Sequence, residues 1–357
     1  MTVQILDENK AEVFAGRMLD ILNNGAIAIM ISIGHRTQLF NTLATLPPST
    51  SQQIADAANL NERYVREWLG AMVTGKIIEY NLKRNTYSLP PEHAAFLTQA
   101  ASPDNMAGFA QYIPLLATVE DKIIDCFYNG GGVPYSEYKR FHQVMAEDSG
   151  QTVVAALEEF ILPLISGLEA ALQNGIDVLD VGCGSGRALI YLALVFPQSK
   201  FTGYDFSEEA ITRGKNEAEK LGLTNIKFQI QDAATINEVS QYDLITTFDA
   251  IHDQAKPDAV LKAIFNALRP NGTYLMQDIR ASSNVNGNLE HLTAPFLYTI
   301  SCMHCMSVSL AENGMGLGAM WGEEKALEML ENAGFRNVVI KQLDHDFQNN
   351  YYIVRKQ

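Results

Sequence analysis

Apolar residues at Val13, Phe14, Met18, Leu19, Leu22, Ile29 and Ile33 follow steps of three and four between Lys10 and Ile33, which predicts one long opening helix, or two. Ser49-Thr50-Ser51 then offers a cap for a helix from Gln52 to Ala58, and Asn61 caps a second from Glu62 to Val73. Two short apolar-polar runs, Ile77 to Tyr80 and Thr86 to Leu89, flank Lys83-Arg84-Asn85 and read as a hairpin. From about Ser102 to Gln173 the pattern stays helical, interrupted by Asn129 to Pro134 with three glycines. This stretch is expected to bridge two domains and to lid a site. After Gly175 short apolar strands alternate with helices. Strands are predicted at Asp177 to Val181, Lys200 to Tyr204, Ile226 to Gln229, Leu244 to Phe248 and Gly272 to Gln277, with helices near Arg187 to Val195, Ser207 to Leu221 and Pro257 to Leu268. The tail, a helix from Glu323 to Ala333 followed by strands near Asn337 to Gln342 and Asn350 to Val354, reads as a closing hairpin.

This alternation predicts an α/β fold with a mostly parallel sheet wrapped by helices, an antiparallel last strand, and ligands at the carboxyl ends of the strands. Helix, turn, helix and hairpin in the first part predict a winged helix. The expected division is 1–98 for that module, 99–173 for a helical linker and lid, and 174–357 for the α/β domain. A winged helix can bind DNA through its second helix, here with Arg63 and Arg66 as candidates. Between residues 36 and 98, however, six bases face five acids, and Tyr64, Val65, Trp68, Leu69, Met72 and Val73 give that helix much apolar surface. Packing and dimerisation fit those properties better.

Composition narrows the partners. The formal net charge of -15 opposes nucleic acid and anionic membrane, which attract an excess of Lys and Arg. The longest early apolar stretch, Ala26 to Ile31, falls far short of the roughly 20 residues that cross a bilayer. Four scattered cysteines do not form a disulfide framework, so a cytoplasmic protein with reduced thiols is expected.

The most informative segment is Val178-Leu-Asp-Val-Gly-Cys-Gly-Ser-Gly186, directly after the first long strand. Gly182, Gly184 and Gly186 let the backbone turn sharply and approach a ligand. A dinucleotide fingerprint would place its third glycine where this chain has Arg187. Asp180 suits a ligand ammonium and would repel a pyrophosphate. Asp205, ending the second strand, can accept both hydroxyls of a ribose or else cap the helix that begins near Ser207. Asp232 can accept from an adenine amino group while Ala233 offers its amide to a ring nitrogen, or Asp232 can cap a turn.

On these residues, over about Gly175 to Gln357, the chain resembles the class I S-adenosylmethionine-dependent methyltransferases. With the preceding winged helix it is similar to two-domain small-molecule O-methyltransferases of the caffeate type, and closer still to a little-characterised bacterial group of the same domain order. The resemblance implies a loop that wraps the methionine moiety, Asp205 on the ribose, Asp232 on adenine, and Phe206 and Phe248 in the same cofactor set. It also implies a homodimer. Ile251-His252-Asp253 occupies the place of the family's catalytic His-Asp pair, which makes His252 the expected base and Asp278 the acid that orients it. A neutral imidazole is a natural acceptor for a phenol or alcohol proton near neutral pH. The family's other orienting acid falls near Met320, which cannot do that work, and Glu323 would need a shift of register.

Other clusters are weighed more cheaply. Cys302-Met303-His304-Cys305 has a chelating gap but no second pair, so no metal is expected and the segment reads as apolar lining. Phe296, Leu297, Tyr298, Ile300, Met303 and Met306 would suit a substrate wall, a core helix or a dimer seam. Gly314 to Gly318 reads as a hinged cover or an ordinary loop, and Asp344-His345-Asp346 as a solvated turn. The expected function is methyl transfer from S-adenosylmethionine to a small apolar acceptor, most simply at a hydroxyl. A nicotinamide oxidoreductase and a winged-helix regulator that senses S-adenosylmethionine stand as rivals.

Overall fold

Asp7 caps the opening helix in the computed structural model, which describes residues 6–357, by accepting from the Lys10 amide at 3.2 Å. That helix, Glu8–Arg36, is a single run of 29 residues. Its last turns supply Ile27, Met30 and Ile31 to the core of a first unit that ends at Pro114, and the Trp68 indole donates to the Met30 carbonyl at 2.8 Å. Its earlier turns leave their apolar residues in solvent. By length and mean hydropathy of 1.2 the helix could cross a membrane, a property that the short run Ala26 to Ile31 does not suggest; Ala294–Ala311 passes the same test.

Thr50 and Gln53 form a reciprocal capping box at the start of helix Ser51–Ala58, and Asn61 caps helix Glu62–Thr74. The hairpin is shorter than expected. Strands β1 (Glu79–Asn81) and β2 (Thr86–Ser88) pair antiparallel, while Ile78 is drawn into the core with Leu69, Met72 and Phe40. On the second helix Arg63 pairs with Glu67 at 2.5 Å and Arg66 with Glu62 at 2.5 Å. Both bases are thereby matched by acids one turn away.

The second unit, Leu115–Gln357, holds a seven-stranded sheet. Its strands are β3 (Asp177–Val181), β4 (Lys200–Asp205), β5 (Ile226–Ile230), β6 (Tyr242–Phe248), β7 (Leu268–Ile279), β8 (Val339–Leu343) and β9 (Asp346–Arg355), in the order β5-β4-β3-β6-β7-β9-β8. The first five run parallel; β9 pairs antiparallel with β7, and β8 antiparallel with β9. The alternation after Gly175 thus specifies the parallel part and the tail specifies the hairpin. One face packs against helices Pro257–Ala267 and Gly322–Ala333 through Val260, Ile264, Met329 and Leu330. The other packs against Arg187–Val195 and the 153–172 segment through Leu189, Leu192, Leu157 and Leu172. With both faces covered, β3 and β6 are buried along nearly their whole length and β7 from Gly272 onward. Arg269 ties their amino ends together, donating to Asp177 at 2.8 Å and to Asp243. The carboxyl ends, where β3 and β6 run into loops, are left for a site.

Candidate active site

The loop after β3 takes left-handed backbone at Gly182, Gly184 and Gly186. A side chain at Gly186 would bring its Cβ to 2.1 Å from the Phe228 ring, and one at Gly182 to 2.5 Å from the Ala250 Cβ. The amides of Gly182 and Cys183 both donate to the Tyr204 carbonyl, at 2.8 and 3.0 Å, which holds the loop against the end of β4. Asp205 completes the clasp: one oxygen accepts from the Gly184 amide at 2.8 Å and the other from the Ser207 amide at 2.8 Å. The cap of helix Glu208–Lys220 is Ser207 itself, which accepts from the Ala210 amide.

Asp180 is buried beneath this loop and accepts from the Thr246 hydroxyl at 2.8 Å. Burial pushes its pKa up to about 7, and the Thr246 hydrogen bond only partly offsets that. Asp205 is raised too, by burial first, against its two amide hydrogen bonds. A buried carboxyl and a half-buried one beside a cradle that a Cβ would fill make a fitting seat for a cationic ligand. Asp232 accepts from the Ala234 amide at 2.9 Å and so caps the turn Ala233–Thr235, with Ala233 buried. Phe206 is exposed at the mouth, and Phe248 is half-buried at the end of β6.

Beyond β6 the chain brings His252 against Asp278 of β7, Nδ1 to Oδ1 at 2.8 Å, both buried. Trp321 Nε1 and the Ile279 amide donate to the same carboxylate oxygen at 2.9 and 2.8 Å. Burial alone would lower the His252 pKa; the Asp278 charge, with a hydrogen bond to Asp278 and the Cys305 thiol, outweighs it and holds the imidazole well above 6.5. Asp249, which sequence reasoning passed over, joins this pair: one atom each of Asp249, His252 and Asp278 lies within 4.8 Å of the others. An ion would fit such distances. At 2.8 Å, however, the His252–Asp278 contact is already a hydrogen bond, and burial followed by repulsion from Asp278 pushes the Asp249 carboxyl well up. Both effects favour the uncharged form of the Asp249 carboxyl. Burial also lifts Asp253, to about 6.

A strap over residues 133–142 links the 303–307 turn to Phe206 and Ser207 just after β4. Val133 N–H donates to Ser307 Oγ at 2.8 Å, and Tyr138 OH donates to the Met303 carbonyl at 2.5 Å. Tyr135 lies edge-on to Phe206 at 5.6 Å and stacks on His142 at 4.9 Å; His142 Nε2 in turn meets Ser207 Oγ at 3.1 Å. Neither the strap residues nor Trp321 stood out in the sequence. Their only signal is aromatic density, which a core residue shares.

Two readings need correction. Asp344-His345-Asp346 is a turn, but not a solvated one: Asp346 is buried and accepts from Gln277 Nε2, Asn349 Nδ2 and Tyr351 OH at 3.0, 3.1 and 2.7 Å. The backbone amides of Gln348 and Asn349 also donate to Asp346, each at 3.2 Å, so the buried carboxyl is surrounded by donors. Gly314 to Gly318 is pinned rather than free, with Met315 N–H on the Ala255 carbonyl at 3.0 Å and Gly318 N–H on the His252 carbonyl at 3.1 Å. At the position of the second orienting acid, Met320 is buried, and Glu323 accepts from Asn350 Nδ2 at 3.1 Å instead. The four cysteines are free thiols.

Comparison with known proteins agrees with this architecture. Residues 25–99 match the family described as Rv2258c-like winged HTH domain, and residues 172–334 match a methyltransferase domain family. (S)-coclaurine N-methyltransferase of Papaver somniferum is 27% identical over 110 residues, 31% of this chain and 31% of that enzyme. The chain thus spans about a third of the length of this curated relative. Among solved structures, human N-acetylserotonin methyltransferase in complex with SAM superposes with a TM-score of 0.67 at 16% identity, covering 100% of this chain and 99% of that one. A candidate O-methyltransferase of Nostoc punctiforme gives 0.71 at 19%, covering 96% and 98%. At such identities the likeness is one of fold.

Proposed function

We propose that the chain, in which residues 25–99 match a winged HTH family and residues 172–334 a methyltransferase domain family, transfers a methyl group from S-adenosylmethionine to a hydroxyl of a small apolar acceptor with His252 as general base. The observation that carries the base assignment is the buried 2.8 Å pair of His252 and Asp278 at the end of the sheet where the glycine loop opens.

The residues divide the work. Gly182, Gly184 and Gly186 shape the seat for the methionine part, Asp180 balances its positive charge, Asp205 holds the ribose, and Asp232 with Ala233 meets the adenine, flanked by Phe206 and Phe248. The bound cofactor supplies an activated methyl group on a sulfonium. His252 needs a free lone pair to take the acceptor proton, and the Asp278 charge strengthens its hold on that proton. A positive charge bound in the neighbouring seat would oppose that effect and favour the neutral imidazole. Asp278 and Trp321 hold the ring in place, and in-line alignment does much of the remaining work.

The paired arginines of the second helix favour a packing role for the winged helix over DNA recognition, and the apolar stripe on the opening helix favours a homodimer. A cytoplasmic location accords with the free thiols. The proposal is tested by incubating the protein with methyl-labelled S-adenosylmethionine and a metabolite extract. Label should pass to a small hydroxyl compound. Thermal protection by NAD and none by S-adenosylmethionine would refute the reading.

A further inference from the structure

One buried group near the base has no task in this scheme. His304 is 1% exposed, and neither ring nitrogen has a hydrogen-bond partner among the described residues. A neutral imidazole carries one N–H and one lone pair, so a donor and an acceptor are both left idle, which native interiors rarely tolerate without a ligand or water.

Its setting is built rather than accidental. His304 belongs to the turn Ser301–Cys305, a π-helical insertion in the helix that runs from Ala294 to Ala311, and such insertions recur at functional sites. The ring stacks face to face on Phe141, 3.6 Å between centroids and 8° between planes, and Tyr135 and Tyr138 meet it edge-on at 5.1 and 4.7 Å. The strap that carries these aromatics is fastened to the same helix, and a Cβ at Gly132 would lie 1.9 Å from the Ser307 carbonyl oxygen. Burial first, then the nearby His252 and His142, hold His304 well below 6.5, so it stays uncharged and lies within electrostatic reach of the base. Phe141 covers one face of the imidazole, and the two ring nitrogens are the groups without a partner among the described residues.

We infer that His304 is a specificity-determining residue that hydrogen-bonds a second polar group on a flat, uncharged acceptor whose reacting hydroxyl lies at His252. The inference rests on the methyl-transfer reading and names the class of acceptor for that same site. An acceptor with a lone hydroxyl leaves His304 idle; one with a second hydroxyl satisfies it.

The test uses the full chain loaded with S-adenosylhomocysteine and titrated calorimetrically with phenol and with resorcinol. Resorcinol should bind about tenfold more tightly than phenol, because a site built to hydrogen-bond a hydroxyl rejects the analogue that lacks it. In His304→Phe, which keeps a ring against Phe141, the two should bind alike, and in His304→Asn, which restores a donor and an acceptor, part of the preference should return. Equal binding of the two by the native chain, no binding of either, or a preference that survives in His304→Phe overturns the inference. So does a loss of S-adenosylhomocysteine affinity in His304→Phe with the preference intact, which would assign the ring to the cofactor. Failure of the native chain to load S-adenosylhomocysteine is a different result and counts against the methyl-transfer reading itself.

Discussion

His252 and Trp321 converge on one oxygen of Asp278, at 2.8 and 2.9 Å, while the second oxygen of that carboxylate has no hydrogen-bond partner among the described residues. The acid is thus held through one oxygen by three donors, the Ile279 amide being the third. Its charge acts on His252, the one partner of the three that can titrate.

Removal of the base is the direct test of that arrangement. His252→Ala should lower kcat on a hydroxyl acceptor about 100-fold or more. S-adenosylhomocysteine affinity should stay within a factor of about two, because the cofactor seat lies on the glycine loop. Turnover near the native rate would show that another group takes the proton.

The pH profile carries the sign of the Asp278 effect. A base must be neutral to act, so kcat should rise with pH through the raised His252 pKa, with its acid limb above 6.5. Asp278→Asn removes the charge that raises it and should move the limb to lower pH, along with a lower plateau from a misoriented ring. The same pair contributes to stability: a histidine raised in the folded state stabilises fully below its unfolded pKa of about 6.5, and that share is lost as pH rises through the folded value. Asp278→Asn should therefore lose more stability at mildly acidic pH than at alkaline pH. An unmoved limb in the variant would refute the coupling.

How much of this was legible depended on whether a residue's signal is local. Gly186 and Asp205 act on their own strand ends, and the turn they demand is written in adjacent letters. His252 and Asp278 were found because each closes a strand of a recognisable alternation. Asp249 lies three residues before His252 yet carried no mark, since an acid after a strand usually caps a turn. Trp321 and His304 arrive from helical segments far along the chain, and their apolar neighbours read as core. Buried partners reveal themselves only once β7, β9 and the 294–311 helix are packed together.

If Asp180 balances the cofactor's charge as proposed, cofactor binding should depend on pH. Its folded pKa of about 7, raised by burial, means that the carboxyl is largely protonated below neutrality and must ionise to balance a cation. An acid raised in this way costs stability as pH climbs from its unfolded value of about 4 towards 7, and a bound cation relieves that cost. S-adenosylmethionine affinity should rise between about pH 5 and 7, with up to one proton released per site near pH 6. Calorimetry in phosphate and in imidazole buffer, which differ in ionisation enthalpy, measures the release. Identical heats in the two buffers would exclude it.

The glycines of the loop should not respond alike. Gly186→Ala meets both left-handed backbone and the Phe228 ring at 2.1 Å, whereas Gly184→Ala meets only the backbone strain, with nothing within 4 Å of its Cβ. Gly184→Ala should cost about 1–2 kcal/mol and Gly186→Ala distinctly more, because Phe228 is buried and cannot swing away. Denaturant melts with and without S-adenosylhomocysteine separate loss of fold from loss of the seat. Equal destabilisation would mean that the Phe228 contact relaxes at little expense.

The opening helix supplies the last prediction. Phe14, Met18, Leu22, Ile29 and Ile33 fall on one stripe at steps of four and seven, and Phe14 and Leu22 are 60% and 65% exposed. A stripe of that length on a helix of 29 residues is the pattern of a helix that packs against another, since solvent gives it no reason to be apolar. A second copy of the same helix is the simplest cover, as an isologous contact pairs the stripe with itself. Light scattering should therefore give twice the single-chain mass of 39.4 kDa. The double variant Phe14→Glu, Leu22→Glu should give the single-chain mass while retaining the thermal protection by S-adenosylhomocysteine that reports an intact second unit. A native chain that elutes at the single-chain mass across micromolar concentrations would leave the stripe to a different partner and refute the homodimer.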